Sequence, residues 1–256
     1  MTRPQVERIT SPANATLKAL RKLAQSPDAY RDQGRIWLEG DHLLQAALVR
    51  GRLLELAVIS ESLFHGRPDL QQLTLRAQRV LVVADAVYGT LTDLATPVPV
   101  AACVGWQAQL VLPGVASVVL DRLQDAGNVG SILRSAAALG VKQVVALKGT
   151  ATLGSPKVLR AGMGAHFALH CVEGLRTEDL DALDLPMLAT SSHGGQLLGQ
   201  GPLPRPAAWV FGHEGQGVSD ALMARCHSTW RIPQPGGEES LNVAAAAAIC
   251  FYESGR

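Results

Sequence analysis

Unbroken apolar runs recur through the second half of the chain: VASVVLD (115–121), VKQVVAL (141–147), HFALHCVE (166–173), PMLATSS (186–192), AAWVFGHE (207–214) and STWRIPQP (228–235). Runs rich in β-branched residues that do not alternate with polar ones predict strands buried on both faces, as in a parallel sheet. Helical patterns separate most of them: SILRSAAALG, SPKVLRAGMG, TEDLDALD and SDALMARC, with the alanine-rich SLNVAAAAAICFYES closing the chain. The first hundred residues repeat the theme on a smaller scale. SPANATLKALRKLAQ predicts a helix opened by Ser11-Pro12 or by Asn14. RIWLEG (strand), DHLLQAALVRG (helix), LLELAVIS (strand), a polar helical stretch, RVLVVAD (strand) and PVAACVGW (strand) follow. The alternation predicts an α/β fold in two parts. QAQLVLPG (107–114) is the expected linker, placing one domain over 1–108 and another over 109–256.

In an open parallel sheet the ligand belongs at the carboxyl ends of the strands. Four glycine-rich or polar clusters follow strands here: DAGNVG, SSHGGQ, GHEGQG and PQPGGEESLN. Their placement predicts one composite site. A dinucleotide site would need G-x-G-x-x-G after the first strand and an acidic residue about 20 positions on. GNVG has a different spacing, no acidic residue stands near the end of VKQVVAL, and no G-x-x-x-x-G-K-[ST] exists. The missing fingerprints disfavour both classical nucleotide sites, and with them a rival reading as a nucleotide-dependent oxidoreductase.

Composition narrows the picture further. With 47% hydrophobic and 18% charged residues, the 256-residue chain reads as an ordinary globular protein. Aromatic residues at 4% argue against stacking platforms as the main binding device. The net charge of +1 gives little bulk attraction for nucleic acid. Residues 1–35, however, hold seven Lys/Arg (Arg3, Arg8, Lys18, Arg21, Lys22, Arg31, Arg35) against three acids, a basic arm that marks either an RNA contact or a solvated face. Cys103, Cys171, Cys226 and Cys250 are far apart, with no C-x-x-C, so neither a metal nor a disulfide framework is expected. No apolar signal core and no membrane-length run occurs. A soluble cytoplasmic protein is expected.

Three motifs stand in order: N-x-G-x-x-x-R at Asn128, Gly130 and Arg134; F-G-x-E-x-x-G at Phe211, Gly212, Glu214 and Gly217; and I-P-x-x-G-x-x-x-S-L-N at Ile232, Pro233, Gly236, Ser240, Leu241 and Asn242. Together they resemble the SpoU (TrmH-type) family of S-adenosylmethionine-dependent RNA ribose 2′-O-methyltransferases, within the SPOUT superfamily. The segment before them resembles the ribosomal-protein-like substrate-binding domain of many members, through ITSPANATLKALRKL and WLEGDHLLQAAL. Gln234, Gly162 and Ala244 depart from residues usual in the family (methionine, serine and serine).

The resemblance implies a parallel-sheet SPOUT domain closed by a deep trefoil knot, a feature otherwise almost absent from proteins. It implies S-adenosylmethionine as cofactor, held by Thr190, Ser191, Gly212, Ile232 and Leu241. It implies catalysis by Arg134, Asn128, Glu214, Ser240 and Asn242, and RNA contacts at Arg160 and at Lys18, Arg21 and Lys22 of the basic arm. It implies a homodimer, no metal, and ribosomal RNA as a better expectation than transfer RNA.

Plainer readings stand beside each role. Arg134 could snorkel from a surface helix, and Asn128 could be a turn residue. Glu214 could complement a helix dipole, Ser240 and Asn242 could cap the final helix, and Arg160 could be a surface cation. A rival class is a non-catalytic RNA-binding factor. The joint presence of Asn128, Arg134, Glu214, Ser240 and Asn242 argues against a decayed site.

Overall fold

The computed structural model describes residues 4–256 apart from positions 93, 95, 97, 98, 238 and 239. Arg3 of the basic arm and the Glu-Glu pair of PQPGGEESLN thus lie outside the described residues. The chain forms two compact units: 1–107 with 154–167, and 108–153 with 168–256. The segment 154–167, which follows the second strand of the parallel sheet in sequence, groups with the first unit.

The first unit contains β1 (Gln5–Ile9), α1 (Ala15–Gln25), α2 (Ala29–Gln33), β2 (Arg35–Glu39), α3 (Asp41–Val49), β3 (Leu56–Ser60), α4 (Glu61–Gly66), α5 (Pro68–Thr74), β4 (Arg79–Val83), α6 (Asp85–Tyr88) and β5 (Val100–Gly105). Its five strands form one mixed sheet in the order β1-β4-β3-β5-β2, with β5 antiparallel to both neighbours. Of the two openings expected for α1, Asn14 is the one used: its Oδ1 accepts from Thr16 N (2.8 Å) and Leu17 N (3.3 Å). Leu17, Leu20, Leu23 and Ala24 then form its buried stripe. β1 carries no strand signal in the sequence. Its QVERI is mostly exposed and pairs only with β4, and a charged edge strand has no apolar run to announce it.

The second unit contains β6 (Ser117–Asp121), α7 (Ala126–Ala138), β7 (Gln143–Leu147), β8 (His170–Leu175), β9 (Met187–Thr190), β10 (Gln196–Leu197), β11 (Ala208–Gly212), α9 (Asp220–Met223), β12 (Ser228–Arg231) and α10 (Val243–Gly255); α8 (Pro156–Gly162) groups with the first unit. All pairings in its seven-stranded sheet, ordered β10-β12-β9-β11-β6-β7-β8, are parallel. Every residue of β6, β7 and β11 is buried, as their unbroken apolar runs require. Val119, Val145, Val172, Val210 and Leu222 are among the side chains of one core cluster.

Two boundaries differ from expectation. The segment 166–173, read as one strand, divides into a 3-10 turn (Ala165–Phe167) and β8. α7 begins five residues before SILRSAAALG, because Asp125 accepts the Asn128 N–H (2.7 Å) and caps a helix that already contains Gly127, Asn128 and Gly130. The cap offsets the low helix propensity of those glycines. Asn128 is therefore a first-turn helix residue, not a turn residue. The linker is stitched down: buried Gln143 accepts from Leu112 N (2.8 Å), and Gln109 accepts from Cys171 N (3.0 Å).

Candidate active site

A parallel sheet brings the carboxyl ends of its strands to one edge. At the ends of β9, β11 and β12 a cavity of about 610 Å³ opens, within the range typical of small-molecule sites. Its lining includes all five residues expected to hold a cofactor: Thr190, Ser191, Gly212, Ile232 and Leu241. Glu214, Ser240 and Asn242 line it as well.

Local chemistry explains how these residues are held. Thr190 Oγ1 donates to Val210 O (2.9 Å), spending its hydroxyl on the strand pairing. Ser191 Oγ accepts from His193 N (3.2 Å) and Gly194 N (3.3 Å), which folds the SSHGG loop into a tight turn. Gly212 has an ordinary backbone, yet a Cβ on it would stand 2.0 Å from Gly217 C and Val218 N. Its missing side chain thus lets the loop after β11 fold back on the strand, and any opening towards a ligand is secondary. The sequence points to glycine here, but not to this reason.

Three of the five expected catalytic residues form a hydrogen-bonded chain with Asn128 at its centre. Asn128 Nδ2 donates to Glu214 Oε1 (3.2 Å), and Asn128 Oδ1 accepts from Asn242 Nδ2 (3.0 Å). Asn242 at the same time caps α10, its Oδ1 accepting from Ala244 N (2.9 Å) and Ala245 N (3.3 Å). Capping and site geometry are therefore one arrangement. Glu214 also accepts from Gln124 N (3.3 Å) and Asp125 N (3.2 Å). Partial burial alone would raise its pKa. The hydrogen bonds from its own N–H, Asn128, Asp125 and Gln124 outweigh burial and hold the carboxyl below the ordinary glutamate range. The stability these bonds contribute is present above the unfolded-state pKa and is lost as pH falls through the lowered folded value. Glu214 is an anchoring carboxylate, poorly suited to take up a proton near neutrality.

Ser240 lines the cavity without a hydrogen-bond partner among the described residues. Arg134 is not brought to this hydrogen-bonded chain. It lies six positions beyond Asn128 on α7, about 240° around a helix, is exposed, and has no ion pair or hydrogen bond among the described residues. The four expected RNA contacts belong to the first unit and differ in freedom. Lys18 is exposed and unpaired among the described residues. Lys22 is 3.6 Å from Asp32. Arg21 donates to Thr90 O (2.9 Å) and Thr90 Oγ1 (2.7 Å). Arg160 pairs at 3.0 Å with Glu39, whose side chain is only 4% exposed.

Residues the sequence does not single out also shape the site. Asp121, buried at the end of β6, accepts from Ser219 N (2.8 Å), and Arg122 reaches Gln216 of the cavity lining (3.2 Å). The only signal for them is position: they close the β6 run just before DAGNVG. Among the described residues no cluster of His, Cys, Asp or Glu could hold a metal, and no helix is long and apolar enough to cross a membrane.

The chain as a whole has relatives among known proteins. A model of the SpoU rRNA Methylase family matches residues 116–252, a span that contains all three motifs. An uncharacterized tRNA/rRNA methyltransferase of Synechocystis sp. is 34% identical over 257 residues, covering 97% of this chain and 93% of its own. The 23S rRNA (guanosine(2553)-2′-O)-methyltransferase RlmP of Bacillus subtilis is 29% identical, covering 96% of this chain and 98% of its own. Among solved structures, an AdoMet-bound rRNA methyltransferase from Sinorhizobium meliloti is similar with a TM-score of 0.83 and 27% identity, covering 98% of this chain and 97% of that one. By the family match across its second half and by full-length relatives at this level of identity, the chain belongs to the SpoU rRNA methylase family.

Proposed function

We propose that this protein transfers a methyl group from S-adenosylmethionine to a ribose 2′-hydroxyl of RNA, with ribosomal RNA as substrate. The observation that carries the reading is the Glu214–Asn128–Asn242 hydrogen-bonded chain beside the cavity. The cavity fits the cofactor chemically. Phe211, Val218, Trp230 and Ile232 offer apolar surface for a nucleoside, and Ser191, His193 and Asn242 offer polar groups for an amino acid. Held by Thr190, Ser191, Gly212, Ile232 and Leu241, the cofactor supplies an electrophilic methyl on a positively charged sulfur. The names of the Bacillus subtilis and Sinorhizobium meliloti relatives support ribosomal RNA.

The chain's own residues then orient the acceptor. Asn128 is fixed at both ends of its amide, so its remaining Nδ2 hydrogen is a directed donor towards a substrate oxygen. Glu214, kept ionised, locks that amide. Ser240 supplies a second hydroxyl contact. Arg134 stays protonated at any working pH, so its role is to hold the target phosphate and stabilise negative charge developing on the 2′-oxygen. Its free guanidinium is the support for that assignment.

Asn242 allows its two duties to be separated. Asn242→Ala should destabilise the fold by about 1 kcal/mol through the lost cap and should also reduce methyl transfer. Asn242→Asp keeps the cap acceptor but sets a carboxylate against Asn128 Oδ1 and Glu214. It should hold its urea midpoint while transfer falls at least about tenfold. Wild-type transfer by a folded Asn242→Asp protein would show that Asn242 does no more than cap α10.

We read the first unit as the RNA substrate-binding domain, with Lys18, Arg21 and Lys22 on α1 and Arg160 on α8 as its contacts; Lys18 is the least committed to other partners. We read the C-terminal segment as threaded into a trefoil knot, supported by family membership and by close backbone packing at Gly195 beside Thr229 and at Gly212 beside Gly217. The working form is a cytoplasmic homodimer. Ile249 and Tyr252, 40% and 59% exposed at adjacent turns of α10, leave apolar surface suited to a two-fold contact. Sedimentation should give a dimer; a fully active monomer contradicts it. Ribose-methylation mapping of ribosomal and transfer RNA from cells with and without the gene tests the substrate. Loss of one 2′-O-methyl mark in ribosomal RNA is expected, and unchanged ribosomal RNA refutes the assignment.

A further inference from the structure

Arg122 follows the last residue of β6 with φ +59°, a left-handed conformation uncommon for a residue with a side chain. Its surroundings hold it there. Its N–H donates to Thr150 Oγ1 (3.0 Å), and that hydroxyl donates to Leu120 O (2.8 Å). Gly149, itself at φ +93°, packs so closely that a Cβ would stand 3.2 Å from Arg122 Cγ. Strain maintained in this way clusters at functional sites.

From that position the guanidinium makes two directed contacts. Nε donates to Asp121 Oδ1 (3.2 Å), and Nη1 donates to Gln216 Oε1 (3.2 Å). Asp121, its side chain 4% exposed, accepts in turn from Ser219 N (2.8 Å). The loop 213–219 is therefore tied to the segment 121–128 at both ends. Glu214 reaches Gln124, Asp125 and Asn128 at one end, and Gln216 and Ser219 are held through Arg122 and Asp121 at the other. A carboxylate aligns an amide well only if its own loop does not drift, and Glu214 is exposed, with solvent competing for its oxygens.

We propose that Arg122 is a positioning residue for methyl transfer: through Asp121 and Gln216 it fixes the 213–219 loop so that Glu214 keeps Asn128 in register. The claim rests on the function proposed above, but part of its test does not. Arg122→Gly suits the experiment, because glycine adopts the left-handed backbone without strain while the side chain and its guanidinium are removed. Arg122→Lys keeps a cation able to reach Asp121 or Gln216 but lacks the fork that serves both.

In the absence of RNA, amide hydrogen exchange at Gln216–Ser219 should quicken at least about tenfold in Arg122→Gly, with Arg122→Lys between it and wild type. At saturating cofactor and RNA, single-turnover transfer should fall about tenfold, with both dissociation constants within about twofold of wild type and Lys restoring part of the rate. Gln216→Ala should fall similarly, and the double variant should be no worse than Arg122→Gly alone. Unchanged exchange in a folded Arg122→Gly protein overturns the proposal. Weakened RNA binding with a salt slope shallower by about one also overturns it, because Arg122 would then be a phosphate contact. If Arg122→Gly does not fold, Arg122→Lys is read by the same exchange and rate criteria. A wild-type protein that methylates no RNA defeats the proposed function and leaves the exchange measurement to decide on Arg122.

Discussion

Arg134→Ala is expected to slow single-turnover methyl transfer about 10²- to 10³-fold, the usual effect of losing one preorganised contact to developing charge. Thermal stability and cofactor affinity should stay nearly unchanged. The residue is exposed on α7, has no partner among the described residues and is absent from the cavity lining, so its removal breaks nothing in the folded protein. Arg134→Lys should recover little, since an ammonium cannot hold two oxygens in one plane. Asn128→Ala should also be damaging, and the double variant less than multiplicatively worse, as for residues that act as a unit. Retention of more than about a tenth of the wild-type rate in Arg134→Ala, less than one lost contact of this kind, would return Arg134 to the role of a snorkelling surface residue.

The second large effect belongs to Gly212→Ala. A single methyl there meets the backbone of Gly217 and Val218 at 2.0 Å, where no side chain can swing aside. Relief requires the loop after β11 to move, and that loop carries Glu214 and much of the cavity lining. Stability should fall by about 3 kcal/mol, at the upper end of ordinary overpacking. S-adenosylmethionine affinity should fall about 100-fold, as though two hydrogen bonds were misplaced. Gly217→Ala is the control. Its Cβ has open space, and its φ of +70° carries only the left-handed penalty of about 1 kcal/mol. Calorimetry of folded variants with titrated cofactor separates the two. Equal, small effects would place the cofactor away from this loop.

The family signal and the grouping of the three motifs were legible in the sequence because motif spacing survives folding unchanged. Asn128, Glu214 and Asn242 are far apart in the chain, yet the order of the three motifs identifies them as one group, and the structure brings them into hydrogen-bond contact. The strand runs of the second unit were legible for a different reason: burial on both faces leaves an apolar string with no phase to misjudge.

What escaped was governed by partners distant in sequence. The β1 strand has no apolar pattern because most of its residues are exposed to solvent. The early start of α7 depends on one Asp125 side chain overriding two glycines. Arg160 resembles any helix-borne cation until Glu39, with its buried side chain, is found beside it. Gly212 is recognisable as a motif glycine, but only the returning loop reveals which atoms exclude a Cβ. Arg122 belongs with these, since nothing local marks it as left-handed or as the link to Gln216.

The central claim is that ribose oxygen is the methyl acceptor. Its most direct measurement uses purified protein, S-adenosylmethionine labelled on the methyl group and unmodified ribosomal RNA, followed by alkaline hydrolysis. A 2′-O-methyl group leaves its phosphodiester uncleavable, because the attacking hydroxyl is gone. The account predicts that the label is recovered in an alkali-resistant dinucleotide that yields a single 2′-O-methylnucleoside. Label recovered on a base, or no transfer by a protein that binds the cofactor, would contradict it.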